Sequence, residues 1–458
     1  MAKYKSIIFI VLIVVIASFF GGLYIHNINR DYELNITEEN LVKKAITDNN
    51  SGSFKRALDN SLITSWVIRK KDSELIFEFN SPEDINTVLI NEAGLNITLY
   101  SIYYSDNAGN WQLCYRQNEI GQLRLATFRQ VNTTGLKIVI NDFKNTAKIS
   151  NIEIYKIEKR AVDNFRLTAY VTNNSLDDYD NQPVKRLDSA SFNVITDVLF
   201  IGGAGFNTSG EVIPAEVNNA DKLKEIIGER DVHIFATIFN PGNDTAETIV
   251  NHKDLLIENV VDYIVGNDFY GVDFDWEFPR NQAEYDIYSD FLIELKSELT
   301  IYGKKLSLAL APWGLKFSQE AIDCIDQVQI MAYDLYDQNG DNNSFNGSAV
   351  STVNYMLGQG FTKEQLNLGI SYYGRPNDAS FHWYDYKDER FTQDEYIMFQ
   401  YGSYFNTITT SRDRTVYAIL RGLGGIMTFA LHEDLPMDDP LCLTAEIGNT
   451  INEYVSGD

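Results

Sequence analysis

Asp273, Asp275 and Glu277 stand at alternate positions in the segment Tyr270-Gly271-Val272-Asp273-Phe274-Asp275-Trp276-Glu277-Phe278-Pro279. In a strand, successive side chains point to opposite faces. The three acids would therefore project to one side, and Val272, Phe274, Trp276 and Phe278 to the other. Acids stacked about 6–7 Å apart inside a barrel mouth cannot all stay ionised cheaply. Their repulsion raises at least one pKa, which is what a general acid working near neutral pH requires. A solvated acidic edge strand would show the same alternation. The opposite face, however, carries two Phe, a Trp and a Val and calls for burial between parallel neighbours. The spacing DxDxE also suits a divalent cation, but no His or clustered carbonyl partners accompany it, so no metal or other cofactor is expected.

The elements that would hold these acids repeat. From residue 163 to 456 apolar strands alternate with helical stretches: RLTAYVT, VITDVLFIGG, DVHIFATIF, YGVDFDWEF, KLSLALAP, DQVQIMAYD, LNLGISYY and GGIMTFAL. Amphipathic segments at 220–228, 283–299 and 415–421 fall between them. Eight strand–helix units predict a (β/α)8 TIM barrel, with reactive groups at the C-terminal ends of the strands. A doubly wound open sheet is the alternative, but no GxGxxG stands at a strand–helix turn to make a nucleotide crevice.

Upstream, residues 36–158 read as an all-β sandwich. Short strands at 75–79, 85–91, 97–104, 111–115, 136–140 and 149–154 are separated by turn signals, and Asn80-Ser81-Pro82 is expected to end the first. In KISNIEIYK, alternation places Ile149, Asn151, Glu153 and Tyr155 on one face, and Ser150, Ile152 and Ile154 on the other. Trp111 reads equally as a sugar platform or as packing for its own strand. Further upstream, Lys3 and Lys5 precede an apolar run at 7–25. Nineteen residues at 1.5 Å each span about 28 Å, enough to cross a bilayer core. Residues 1–26 are therefore expected to be a membrane anchor that leaves the remainder outside the cytoplasm; a cleaved signal and a secreted chain are the alternative. The three cysteines, Cys114, Cys324 and Cys442, show no metal-ligand or disulfide spacing. Lys plus Arg is 38 against 64 for Asp plus Glu, a formal charge of −26 that leaves no counterion-release term for nucleic acid. A surplus of aromatics, 27 Tyr and 26 Phe, is in keeping with a protein that stacks sugars.

GVDFDWEFP resembles the active-site strand of glycoside hydrolase family 18, the chitinases and endo-β-N-acetylglucosaminidases, written DGxDxDxE. RLTAYVTNN resembles that family's first strand, IMAYD its sixth, LGISYYGRP its seventh and GLGGIMTFAL its eighth. The resemblance implies that Glu277 donates a proton to the glycosidic oxygen and that Asp275 orients the substrate's own 2-acetamido group. Asp273 would share or shift the proton of Asp275. Tyr333 would donate to the acetamide, Asp334 would contact the same sugar, and Tyr170 and Thr237 would hydrogen-bond Asp273. Tyr373, Arg375 and Phe429 would line the cleft. The upstream module resembles the discoidin, or coagulation-factor type C, jelly roll that includes carbohydrate-binding module family 32, through ALDNSLITSWV, ITLYSIYYSDNAGNWQLCY, ATFRQVNTTGLKIVI and ISNIEIY.

The chain departs from the family pattern in three places. Tyr270 replaces the first acid, Thr237-Ile238-Phe239-Asn240 replaces SxGG, and Phe429 stands where a Trp commonly floors the cleft. About 40 residues separate Arg375 from the helix expected near Thr415, which leaves room for only a short insertion and a shallow, endo-acting cleft. The resemblance implies hydrolysis after N-acetylglucosamine in chitin-like oligosaccharides by a monomer. Release of N-glycans and a non-catalytic surface lectin are the alternatives.

Overall fold

The computed structural model describes residues 34–48, 54–182, 186–239, 244–335, 345–374, 381–382, 399–400 and 403–456. The apolar run at 7–25 and Arg375 lie outside them. Among the described residues no helix is long and apolar enough to cross a membrane.

Eight parallel strands close on themselves. In order they are Arg166–Thr172, Asp197–Phe206, His233–Phe239, Gly271–Asp275, Lys305–Leu310, Gln327–Ile330, Leu366–Ser371 and Gly425–Phe429, and the eighth pairs back onto the first. These are the eight segments anticipated for a barrel, numbered first to eighth below. The outward residues of the fourth strand pack beneath the helix Gln282–Ile301: Phe274 lies 5.0 Å from Phe291 and 5.8 Å from Tyr288, and Trp276 lies 4.9 Å from Tyr288, between ring centroids. That contact fixes the strand's parity and aims the acids at the barrel interior.

Residues 45–155 form a seven-stranded antiparallel sheet in the order Trp66–Ile68, Ala147–Tyr155, Ser73–Glu92, Arg124–Phe143, Ile97–Ser105 and Trp111–Gln117, with Ala45–Asp48 beside Ser73–Glu92. Pro82 does not end a strand. Ser73–Glu92 runs through it, with the register jumping from Glu78↔Gly135 to Glu83↔Thr133. A proline lacks an N–H to give, and it is tolerated at such an irregularity, where the ladder is already broken. The alternation read into KISNIEIYK also breaks. The pairing passes from Asn91↔Asn151 to Glu92↔Ile149, leaving Ser150 as a bulge. The extra residue changes the parity, so Ile149, Ile152 and Ile154 all enter the sheet's own core. Trp111 is 36% exposed, and Lys137 Nζ sits 4.9 Å from its ring centroid.

The sheet is not loosely tethered. Leu89, Leu125, Tyr155 and Ile157 belong to the barrel's hydrophobic cluster. The helix Ile408–Arg421, capped by Thr407 and ended by Gly422 at φ 76°, is buried over its whole length from Thr409. It begins seven residues before the start expected from sequence. One side lies on the barrel and the other on the sheet. Asp413 accepts hydrogen bonds from Tyr115 Oη (2.6 Å), Thr127 N (2.9 Å) and Thr127 Oγ1 (2.8 Å). Arg124, itself buried, lies 3.8 Å from Asp413. Arg412 donates to Glu446 (3.0 Å) and Glu453 (2.6 Å). Burial lifts the Asp413 carboxyl to about 6, against the pull of Arg124, Tyr115 and Thr127. Asp413→Ala would leave Arg124 buried without this carboxylate, and the loss expected is about 3–5 kcal/mol. The midpoint of urea unfolding of the whole chain measures it.

Candidate active site

The fourth strand places its acids in successively wetter surroundings. Asp273 is fully buried. Tyr170 Oη of the first strand and Thr237 Oγ1 of the third donate to its Oδ2, at 2.9 and 3.1 Å. Ser307 Oγ of the fifth donates to Oδ1 at 2.7 Å. Burial raises the carboxyl above its ordinary value, and the three donors offset part of that rise.

Asp275, one pleat further along the strand, is 6% exposed, and its Oδ1 is buried without a hydrogen-bond partner among the described residues. Burial first, then the charges of Glu277 and Asp273, hold it well above the usual carboxylate range. Three donors on one carboxyl and an unpartnered oxygen on the other favour the charge on Asp273 and the proton on Asp275. Glu277 stands just past the strand, at the exposed rim. The surrounding protein still withdraws enough water to raise its pKa.

The other strand ends supply an aromatic wall. Tyr333, after the sixth strand, is buried. Its phenol is pushed far above its ordinary value by burial and then by the nearby charges of Asp275, Glu277, Asp334 and Glu433, so it stays a donor. Gly369 permits this approach, since a Cβ there would collide with the Ile330 carbonyl and crowd the Tyr333 ring. Asp334 adopts a left-handed φ of 58° and accepts from Tyr373 Oη at 2.7 Å. Phe429 lies between Tyr170, Tyr333 and Tyr373, with ring centroids at 5.3, 6.1 and 6.4 Å. Thus the structure brings together nine of the ten candidate residues, and Arg375 is the one outside the described set. Tyr270, in place of the motif's first acid, stacks on His233 at 3.8 Å and edges onto Phe235 at 5.4 Å, so it serves packing.

Several residues here escaped the sequence reading. Ser307, Gln329 and Asn367 form a buried polar set inside the barrel. Their signal was present as polar residues on the inward parity of short apolar strands, one each in LSLAL and LNLGI and two in QVQI. Trp313, just after the fifth strand, is 50% exposed and lies 5.7 Å from Phe278, which is 43% exposed and follows Glu277. It carried no periodic signal.

Residues 114–434 match the sequence profile of glycosyl hydrolases family 18. The chain belongs to that family. The match opens inside the antiparallel sheet, ahead of the first barrel strand. Sporulation-specific chitinase 2 of Saccharomyces cerevisiae is 27% identical over 205 residues, 38% of this chain and 39% of that protein. The match thus spans about two-fifths of that relative's length. Among solved structures, a family 18 chitinase from the chitin utilization locus of Flavobacterium johnsoniae shares the fold with TM-score 0.54 and 21% identity, over 64% of this chain and 94% of its own. A family 18 chitinase of Cycas revoluta in complex with (GlcNAc)3 aligns with TM-score 0.52 and 16% identity, over 62% and 99%.

For a family 18 barrel, this division of proton and charge can be tested without a substrate. At neutral pH the infrared difference spectrum between the intact chain and Asp275→Asn should show a protonated-carboxyl band that the difference between the intact chain and Glu277→Gln lacks. Absence of that band from the Asp275→Asn difference spectrum places the proton elsewhere.

Proposed function

We propose that the chain hydrolyses β-1,4 bonds after N-acetylglucosamine in chitin-like oligosaccharides by substrate-assisted, retaining catalysis, with Glu277 as general acid. The observation that carries this reading is the graded carboxyl series on one strand. A buried Asp273 with three donors and a buried Asp275 with an unpartnered oxygen are followed by Glu277 at the solvent-reachable rim. Two-carboxylate glycosidases use a second protein carboxylate as nucleophile or base. Here Asp275 is dry and burial holds its pKa well above the usual carboxylate range, which suits it to engage an amide and ill suits it to attack carbon.

In the reading we propose, the carbonyl oxygen of the sugar's 2-acetamido group bonds to the anomeric carbon as the glycosidic C–O bond breaks. Glu277 gives its proton to the departing oxygen. The resulting oxazolinium is opened by water, which returns a proton to the Glu277 carboxylate. Tyr333 donates to the acetamide oxygen, and Asp275 accepts from its N–H as its own proton passes toward Asp273. Asp334, Tyr373 and Phe429 contact the same sugar, and Phe278 with Trp313 offers an exposed aromatic surface beside the acid. The relatives named above are chitinases, which supports this substrate class. The short stretch from Arg375 to the helix at Ile408 supports a shallow, endo-acting cleft. The strand order and turn motifs of residues 36–158 support a discoidin-like module, and the apolar run at 7–25 supports an extracytoplasmic enzyme held at a membrane.

Hydrolysis of 4-methylumbelliferyl chitobioside, set against a high-mannose glycoprotein, tests the substrate. The chitobioside should be cut and the glycoprotein spared. The reverse assigns an N-glycan substrate, and no cleavage of either assigns a lectin. A deacetylated polymer should resist, because it lacks the reacting amide. Glu277→Gln should lower kcat by about 10²–10⁴-fold. Glu277 acts protonated, and burial raises its pKa, so kcat/KM should fall as pH rises through that raised value. A flat profile across the neutral range contradicts the role. Trp313→Ala should raise KM for longer oligosaccharides about three- to tenfold with kcat nearly unchanged, and Trp313→Phe should recover part of it.

A further inference from the structure

Below Asp273 the barrel interior holds a row of hydrogen bonds whose direction can be read without ambiguity. Arg166 Nε, at the base of the first strand, donates to Asn367 Oδ1 at 3.1 Å. A guanidinium has no acceptor, so this contact fixes the Asn367 amide with its oxygen toward Arg166. Asn367 Nδ2 then faces Gln329 Oε1 at 3.0 Å, which fixes the second amide. Gln329 Nε2 in turn donates to Ser307 Oγ at 3.1 Å. A serine hydroxyl has one hydrogen. With its oxygen accepting from Gln329, that hydrogen is left for Asp273 Oδ1 at 2.7 Å. Asn367, Gln329, Ser307 and Asp273 are all fully buried, so these directions are shielded from bulk water.

We propose that Arg166, Asn367, Gln329 and Ser307 form a one-way hydrogen-bond chain whose last donor holds Asp273 as the ionised member of the carboxyl pair and leaves the transferable proton on Asp275. Ser307 and Gln329 are thus positioning residues. They touch no substrate, and they act by deciding which of two carboxyls can take up charge. The consequence for catalysis rests on the substrate-assisted reading above, whereas the protonation order does not.

The titratable groups facing this pair are Glu277 on the same strand, Tyr170 on the first, Tyr333 after the sixth and Tyr288 on the helix Gln282–Ile301. The three phenols are pushed well above their ordinary value by burial and stay neutral across the working range. The acid side of the pH–rate profile therefore reports the carboxyls. Removing a donor from an ionised carboxyl makes it hold a proton more readily. Ser307→Ala should lower kcat about 10–150-fold with KM unchanged, the loss expected for one hydrogen bond to a charged group, and should move the acid limb to higher pH. Gln329→Met, which keeps the volume but frees the serine hydroxyl to turn, should shift the limb in the same direction by less. Ser307→Thr, which keeps the hydroxyl, should restore both. In the unliganded whole chain, the infrared difference between Ser307→Ala and the intact chain should show an added protonated-carboxyl band as pH is lowered, which the difference between Ser307→Thr and the intact chain lacks. An acid limb and an infrared spectrum both unmoved by Ser307→Ala would overturn the proposal. If the intact chain proves inactive on every acetylated substrate, the functional reading falls, and the infrared comparison alone still decides the protonation order.

Discussion

A carboxylate with no exposure to water must be solvated by the protein, and in this barrel that carboxylate is Asp273. Moving such a charge out of water costs several kcal/mol even after relaxation. The donors that offset this come from three other strands: Tyr170 on the first, Thr237 on the third and Ser307 on the fifth. No local segment could assemble them. They converge only when the sheet closes with the observed register, Thr237 beside Asp273 and Asp273 beside Ser307. Closure of the barrel and ionisation of its central acid are thus one event seen on two scales. An error of one residue in register would turn either the donors or the acid outward.

The same strand must satisfy its other face. Phe274 and Trp276 fit beneath Tyr288 and Phe291 and leave the fourth strand no freedom to rotate. On the far side of the barrel the helix Ile408–Arg421 plays a comparable part, bracing the seventh and eighth strands from outside. It carries Arg412, Asp413 and Arg414 in buried positions: the antiparallel sheet satisfies Asp413 through Tyr115, Thr127 and Arg124, whereas Arg412 donates to Glu446 and Glu453 and Arg414 to Ser348. The sheet is therefore a wall of the catalytic unit.

What could be read in advance follows from which forces are local. The eight barrel strands were legible because buried parallel strands are apolar runs of limited length, and the acids were legible because a period of two is visible in one segment. The sheet was harder. Ile149 and Ile152 enter one core only because Ser150 bulges, and nothing in KISNIEIYK announces the inserted residue. Pro82 looked like a terminator because local rules make it one, and a register jump that depends on the neighbouring strand absorbed it. The early start of the helix at Ile408 hid behind Ile408-Thr409-Thr410, a β-branched run that burial against two layers forces into a helix. Ser307 and Gln329 were visible as polar residues, but their purpose depends on partners 22 to 38 positions away.

The arrangement also explains how residues of one chemical class divide their tasks. Asp273, Asp275 and Glu277 differ little in intrinsic acidity, and the strand delivers them to one line. Distance from bulk water separates them. The deepest meets three donors and keeps a charge. The middle one meets no fixed donor at one oxygen and two acidic neighbours, and keeps a proton. The outermost is raised by partial burial alone and can exchange its proton with what arrives in the cleft. A pleated strand crossing from a dry interior to a wet mouth converts position into acidity, because each pair of residues moves the side chain outward by about 6–7 Å. A helix would stack its carboxyls by turns on a single face at near-uniform depth. The graded series needs a strand that ends at an opening, and the C-terminal rim of a parallel barrel supplies eight of them around one pocket.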